Sequence, residues 1–173
     1  MERQPTWSGV VGYGVLPPST RPRPGNSLKP SHLTDKDDGE VSDMGATENA
    51  ELVRRGYEAF NAGDLATLSE LFAEDAVWYA AGNGVLSGTK QGRDAVLAYF
   101  GELGARSQGS FKATVQDVVG GEDHTVGIQQ THAENNGKTL DMATAIVFVL
   151  RDGKVVEGRE FFEDTAKADD FWT

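Results

Sequence analysis

Apolar residues recur along this chain with two periods, and the change between them divides its foldable part in two. Leu52, Val53, Tyr57, Ala59 and Phe60 follow one another at three- and four-residue steps, the spacing that gathers side chains on one helix face. The pattern predicts a first helix over Thr47 to Asn61, with Thr47 as N-cap and Glu48 and Glu51 complementing the positive helix end. Gly63 supplies a left-handed stop. Asp64 then caps a second helix, whose Leu65, Leu68, Leu71 and Phe72 make another apolar stripe. A short β-rich run, Ala76 to Ala80, carries Trp78. Gly82, Gly84, Gly88 and Gly92 predict a loop, and their spacing misses both the dinucleotide-binding and the P-loop patterns. A third helix, Arg93 to Leu103, buries Val96, Leu97, Phe100 and Leu103.

From Phe111 onward the period is two. Phe111, Ala113 and Val115 alternate with Lys112, Thr114 and Gln116 in a strand reaching Val119. Further strands are expected over His124–Ala133, Leu140–Leu150 and Val155–Glu163. Gly120-Gly121, Asn136-Gly137 and Asp152-Gly153 supply the turns between them. Consecutive hairpins preceded by helices predict an α+β fold: a twisted antiparallel sheet with three helices over one face. Arg54 to Ala80 would form the front wall of a small-molecule pocket. The tail ends in Phe171-Trp172, which would cap the open end of the sheet or meet a partner.

Residues 1–43 lack any sustained period. All six prolines lie between Pro5 and Pro30, and such a segment buries too little apolar surface to offset its ordering entropy. The expectation is a disordered extension over 1–43 and a domain over 44–173, with Met44 as the true start being the other bland reading.

Composition narrows the function classes. The chain has 16 basic and 27 acidic residues, a formal charge of -11. That argues against nucleic acid, which needs a basic face, and against an anionic membrane surface. No cysteine is present, so disulfides, thiolate nucleophiles and zinc knuckles are out. No apolar run is long enough to span a bilayer. Val10 to Leu16 is too short and glycine-broken for a signal core, and a cytoplasmic setting is the default expectation.

Three stretches carry a family likeness: YEAFNAGDLATLSELFAEDAVW, then GRDAVLAYF, then the RDGKVVEGREFFED ending. They resemble the SnoaL-like domains of the nuclear transport factor 2-like superfamily, which also includes ketosteroid isomerases. The resemblance spans about Ala46 to Thr173. It implies a cone-shaped curved sheet folded against three helices, an apolar cavity behind an open mouth, and homodimers through the outer sheet face. Activities within such a superfamily differ widely. Its isomerases use a tyrosine on the first helix, an aspartate base after the first strand, and a protonated aspartate on a late strand. Aligned through Asn61-Ala62-Gly63-Asp64, the tyrosine position falls on Gly56, with Tyr57 one residue late. The base position falls on Ala80 and the late aspartate on Ile146. Moving a proton from carbon needs a base, so steroid isomerisation by that route is not expected.

If the family's inward parity holds, Trp78 and Ala80 face the cavity, with Gln129, Thr131 and Ala133 from the next long strand. Met142, Thr144, Ile146 and Phe148 would follow, then Gly158, Glu160 and Phe162. A one-residue slip would reverse every assignment. Glu160 is the candidate acid/base, because a carboxylate on an inward face is desolvated and its pKa rises. The bland alternative leaves it in water or paired with Arg159. Tyr57, Trp78, Gln129, Thr131, Met142, Ile146, Phe148 and Phe162 are the candidate ligand contacts. Tyr99 is a further aromatic near the helix–sheet gap, and Asp75 is as suited to backbone capping as to catalysis. His132 and Asp141 fall on the outer face as a surface or dimer-interface pair. No histidine spacing suits a metal, and no cofactor is expected.

Two functions follow as expectations. One is a pocket protein for a small apolar or aromatic ligand, isomerase-, cyclase- or hydrolase-like if catalytic. The other is a non-catalytic ligand-binding or dimerisation module, whose acidic surface could meet a basic protein.

Overall fold

The computed structural model describes residues 45–173. The expectations for the segment 1–43 lie outside the described residues. Helix α1 runs Ala46–Ala62 and buries Ala50, Val53 and Tyr57 on one face. It starts one residue before the expected cap: Gly45 is the N-cap, and no side chain caps the helix. Gly63 ends it at φ 68°, the left-handed geometry that glycine adopts without a Cβ penalty. Asp64 caps α2 (Leu65–Leu71) by accepting from the Thr67 backbone N–H at 3.0 Å and the Thr67 hydroxyl at 2.7 Å.

Strand β1 begins at Phe72, four residues earlier than its β-rich core suggested, and ends at Ala80. The glycine loop holds a short strand, β2 (Gly88–Gln91), antiparallel to β1. Helix α3 runs Arg93–Arg106. Strands β3 (Lys112–Gly120), β4 (Thr125–Asn135), β5 (Lys138–Arg151) and β6 (Lys154–Phe162) follow as an antiparallel meander. Asn136 and Gly137 have φ of 48° and 80°, and Asp152 and Gly153 of 51° and 70°. Two positive values in succession make the tight turns that match strand twist.

Among the described residues the strands form one six-stranded sheet, ordered β2-β1-β6-β5-β4-β3. It is mixed, because β1 lies parallel to β6. The sequence could not show this pairing, which joins segments about eighty residues apart and has no turn of its own. A register shift between Val115 and Asp117 also breaks the strict alternation expected of β3, so Val118 is buried alongside Ala113. The tail forms a fourth helix, α4 (Thr165–Phe171). Its Phe171 and Trp172 are buried, and Trp172 stacks on Phe111 with ring centroids 6.2 Å apart. No helix of the described residues is long and apolar enough to cross a membrane.

Candidate functional site

The inward positions of β4, β5 and β6 meet α1, α2 and α3 around a cavity of about 70 Å³. Its wall contains seven aromatic side chains and a single charged one, Glu160. Cross-strand register sets the floor. Gly127 of β4 pairs with Ile146 of β5, which pairs with Glu160 of β6.

Two glycines shape this floor. A Cβ at Gly158 would lie 2.1 Å from carbons of the Trp78 ring, and one at Gly127 would lie 2.4 Å from the Tyr57 hydroxyl. Only bare backbone lets the two rings lie so close to the sheet.

Glu160 is buried and, among the described residues, has no cation within salt-bridge distance. Arg159, its neighbour in sequence, instead lies over the Tyr79 ring and pairs with Glu157. Trp78 Nε1–H donates to Glu160 Oε1 at 2.8 Å. The Tyr99 hydroxyl donates to the same carboxylate, at 3.0 Å from Oε1 and 3.2 Å from Oε2. The Ala81 backbone N–H donates to Oε2 at 3.3 Å. Burial pushes the Glu160 pKa up, and the bonds from Trp78, Tyr99 and Ala81, with the nearby Lys90 charge, pull against it; burial wins. Tyr57 and Tyr99 are raised by burial first and by the Glu160 charge second.

Among the described residues four buried side-chain polar atoms lack a partner, and two of them, the Tyr57 hydroxyl and Gln129 Oε1, belong to this site. Both residues line the cavity. Gln129 Nε2 is used, donating to Thr131 Oγ1 at 2.9 Å.

The structure therefore brings Tyr57, Trp78, Gln129, Ile146, Phe148 and Glu160 to one cavity. Thr131 and Met142 are buried on the same sheet face but outside the cavity wall, and Phe162 is only partly buried and also outside it. The physical reason is position along the strands. Thr131 pairs with Met142, two inward rows beyond the one that holds Ile146 and Glu160, whereas Phe162 shares the Thr144 row with Gln129 but is the last residue of β6 and stands clear of the wall. His132 and Asp141 form an exposed cross-strand pair at 2.7 Å. Asp75 is exposed. Sequence reasoning missed that Tyr99 and the Ala81 amide serve Glu160, and that Gly127 and Gly158 seat aromatic rings. A glycine at an inward strand position was the available signal for the seats.

Residues 53–158 match the family model of the SnoaL-like domain, and the chain belongs to that family. An uncharacterized protein of Mycobacterium tuberculosis strain H37Rv is 34% identical over 123 residues, which cover 70% of this chain and 94% of that protein. Among solved structures, Bal32a, from a soil-derived mobile gene cassette, is 45% identical with a TM-score of 0.73, covering 74% of this chain and 98% of that one. IdmH of Streptomyces antibioticus, described as a proposed polyketide cyclase, is 29% identical with a TM-score of 0.58, covering 69% and 96%.

Proposed function

We propose that this chain binds a small apolar or aromatic molecule in the cavity and that Glu160 serves it as an acid/base group. One observation carries the reading: a buried carboxylate, without a salt-bridge partner among the described residues, lines an otherwise uncharged, largely apolar wall. Its raised pKa brings proton exchange closer to neutral pH, as acid/base work requires. The proposed cyclase role of IdmH supports chemistry of this kind. Tyr57, Trp78, Gln129, Ile146 and Phe148 are the proposed contacts. Thr131, Met142 and Phe162 would touch only a ligand reaching further along the strands.

A cavity of about 70 Å³ is about half of one that holds benzene. A ring therefore enters only if wall side chains move. The test is an NMR titration of the full chain with isobutanol and benzyl alcohol, following the Trp78 indole N–H. A saturable shift, lost on filling the cavity by Ile146→Phe, is expected. No shift with either probe would refute the binding reading.

A non-catalytic binder is the second reading. It is favoured by the three donors already on Glu160, and by Gly56, Ala80 and Ile146 at the isomerase positions. We also propose a homodimer through the outer sheet face. Ile128 and Phe161 stand 39% and 51% exposed there, beside the half-buried Ala145 and Val147. Light scattering should give a dimer mass that halves in an Ile128→Asp, Phe161→Asp double variant; a monomer in the parent chain would refute it.

A further inference from the structure

We propose that the ligand is a small hydrophobic amine, bound as its ammonium ion with Glu160 as counter-ion. The proposal deepens the cavity reading and rests on it. Charge is the first argument. Among the described residues no Lys, Arg or His lines the cavity. Lys90, whose charge acts on Glu160, donates to the Ser87 carbonyl at 3.1 Å and sits 5.3 Å from the Tyr99 ring centroid, off the cavity wall. A buried carboxylate needs either a proton or a cation. An ammonium guest supplies the cation, which a neutral guest cannot do and an anionic guest opposes.

The rest of the wall suits the same guest. Trp78, Phe100 and Phe148 line the same cavity as the carboxylate, and ring faces attract cations, most strongly when water is excluded. The open polar atoms are complementary too. Gln129 Oε1 is an acceptor without a donor, and the Tyr57 oxygen is likewise unpartnered. An ammonium group brings donors only. A carboxylate has about four acceptor sites, and three donors reach Glu160 from the protein. The sheet keeps these groups together: Gly127 beneath the Tyr57 hydroxyl, Ile146 and Glu160 lie in one cross-strand row, and Gln129 is the next inward residue of β4. From residue 44 to the end the chain carries 11 basic and 21 acidic residues, so its field also draws cations inward.

Three probes with one hydrocarbon body and different charge test this: isobutylamine, isobutanol and isovalerate. Each is titrated into the full chain at neutral pH and physiological ionic strength, where attraction to the surface is screened. The Trp78 indole N–H reports occupancy. Isobutylamine should bind at least about tenfold more tightly than isobutanol, roughly 1.4 kcal/mol, with isovalerate weakest. Glu160→Gln should erase that preference while retaining isobutanol binding and a dispersed spectrum. Should Glu160→Gln disturb the fold, Tyr57→Phe, which removes only an unpartnered hydroxyl, should still weaken isobutylamine more than isobutanol. Equal or tighter binding of isobutanol in the parent chain overturns the amine assignment and leaves the cavity reading standing. Undiminished isobutylamine binding in a folded Glu160→Gln variant also overturns it, by showing that Glu160 is not the counter-ion. Failure of all three probes sinks both readings.

Discussion

Replacing Gly158 by alanine tests the architecture of the site with one methyl group. The new Cβ would sit 2.1 Å from Cε3 and Cζ3 of Trp78, whereas carbon contacts settle at about 3.5–4.0 Å. The ring must therefore retreat by roughly 1.4 Å to reach the near edge of that range. It has little room, because Phe100, Phe148 and Phe72 hold it with centroids at 5.0, 5.9 and 6.0 Å. Retreat also draws Nε1 away from Glu160, now 2.8 Å distant. Overpacking costs about 1–3 kcal/mol, and a lost hydrogen bond to a charged group about 1.5–3 kcal/mol. A combined loss of about 3–5 kcal/mol lowers the melting temperature by roughly 10–20 °C for a domain of this size. Near-UV circular dichroism during a thermal melt reads both the stability and the Trp78 environment. Gly101→Ala is the control. It is an exposed position inside α3 where a Cβ meets nothing within 4 Å, so it should gain about 0.5–1 kcal/mol from reduced chain entropy. A Gly158→Ala protein that melts with the parent and keeps its near-UV signal would refute the close seating of Trp78 on β6.

Glu160→Gln should flatten part of the stability–pH curve. The folded pKa of Glu160 lies above the ordinary carboxylate value of 4.5, so over the interval between them the native state holds a proton the unfolded chain has released. Stability therefore falls as pH rises from about 4.5 through the folded value. The variant loses that slope in urea titrations across this range, and an unchanged slope would contradict a desolvated Glu160; Tyr99, Trp78, Lys90 and Tyr57 are its neighbours in the balance. Tyr57→Phe should leave stability unchanged or raise it by about 1 kcal/mol, since a buried unpartnered hydroxyl is a cost and not a gain; a clear fall in urea midpoint would show that the hydroxyl has a partner. A chain beginning at Met44 should melt at the temperature of the full chain, and a clear drop would show that residues 1–43 support the domain.

How far the sequence could be read depended on how local each cause was. Helix periods, the Asp64 cap, the Gly63 stop and the Asn136-Gly137 turn act over a few residues, and each appears in the structure where the pattern put it. The parallel β1–β6 pairing, the α4 helix under the Phe171-Trp172 tail and the register shift in β3 are set by tertiary packing, and no short window carries them. The same division holds at the site. Inward parity placed Glu160, Trp78, Ile146 and Phe148 at the cavity because β1, β5 and β6 alternate regularly through these positions. Parity could not say how far along the strands the cavity extends, so it included Thr131, Met142 and Phe162, which lie beyond the wall. Nor could it show that Tyr99, from a helix, and Ala81, from a loop, converge on Glu160. That convergence joins three segments in space that share no sequence spacing.

The space between Trp78, Ile146 and Glu160 is proposed as the ligand site. A crystal structure of the full chain grown with benzyl alcohol tests it most directly. The expected result is the probe's ring against Trp78 and Phe148, with its alcohol hydroxyl within hydrogen-bond distance of Glu160. A cavity closed by its own side chains, with the probe bound only at the surface, would contradict it.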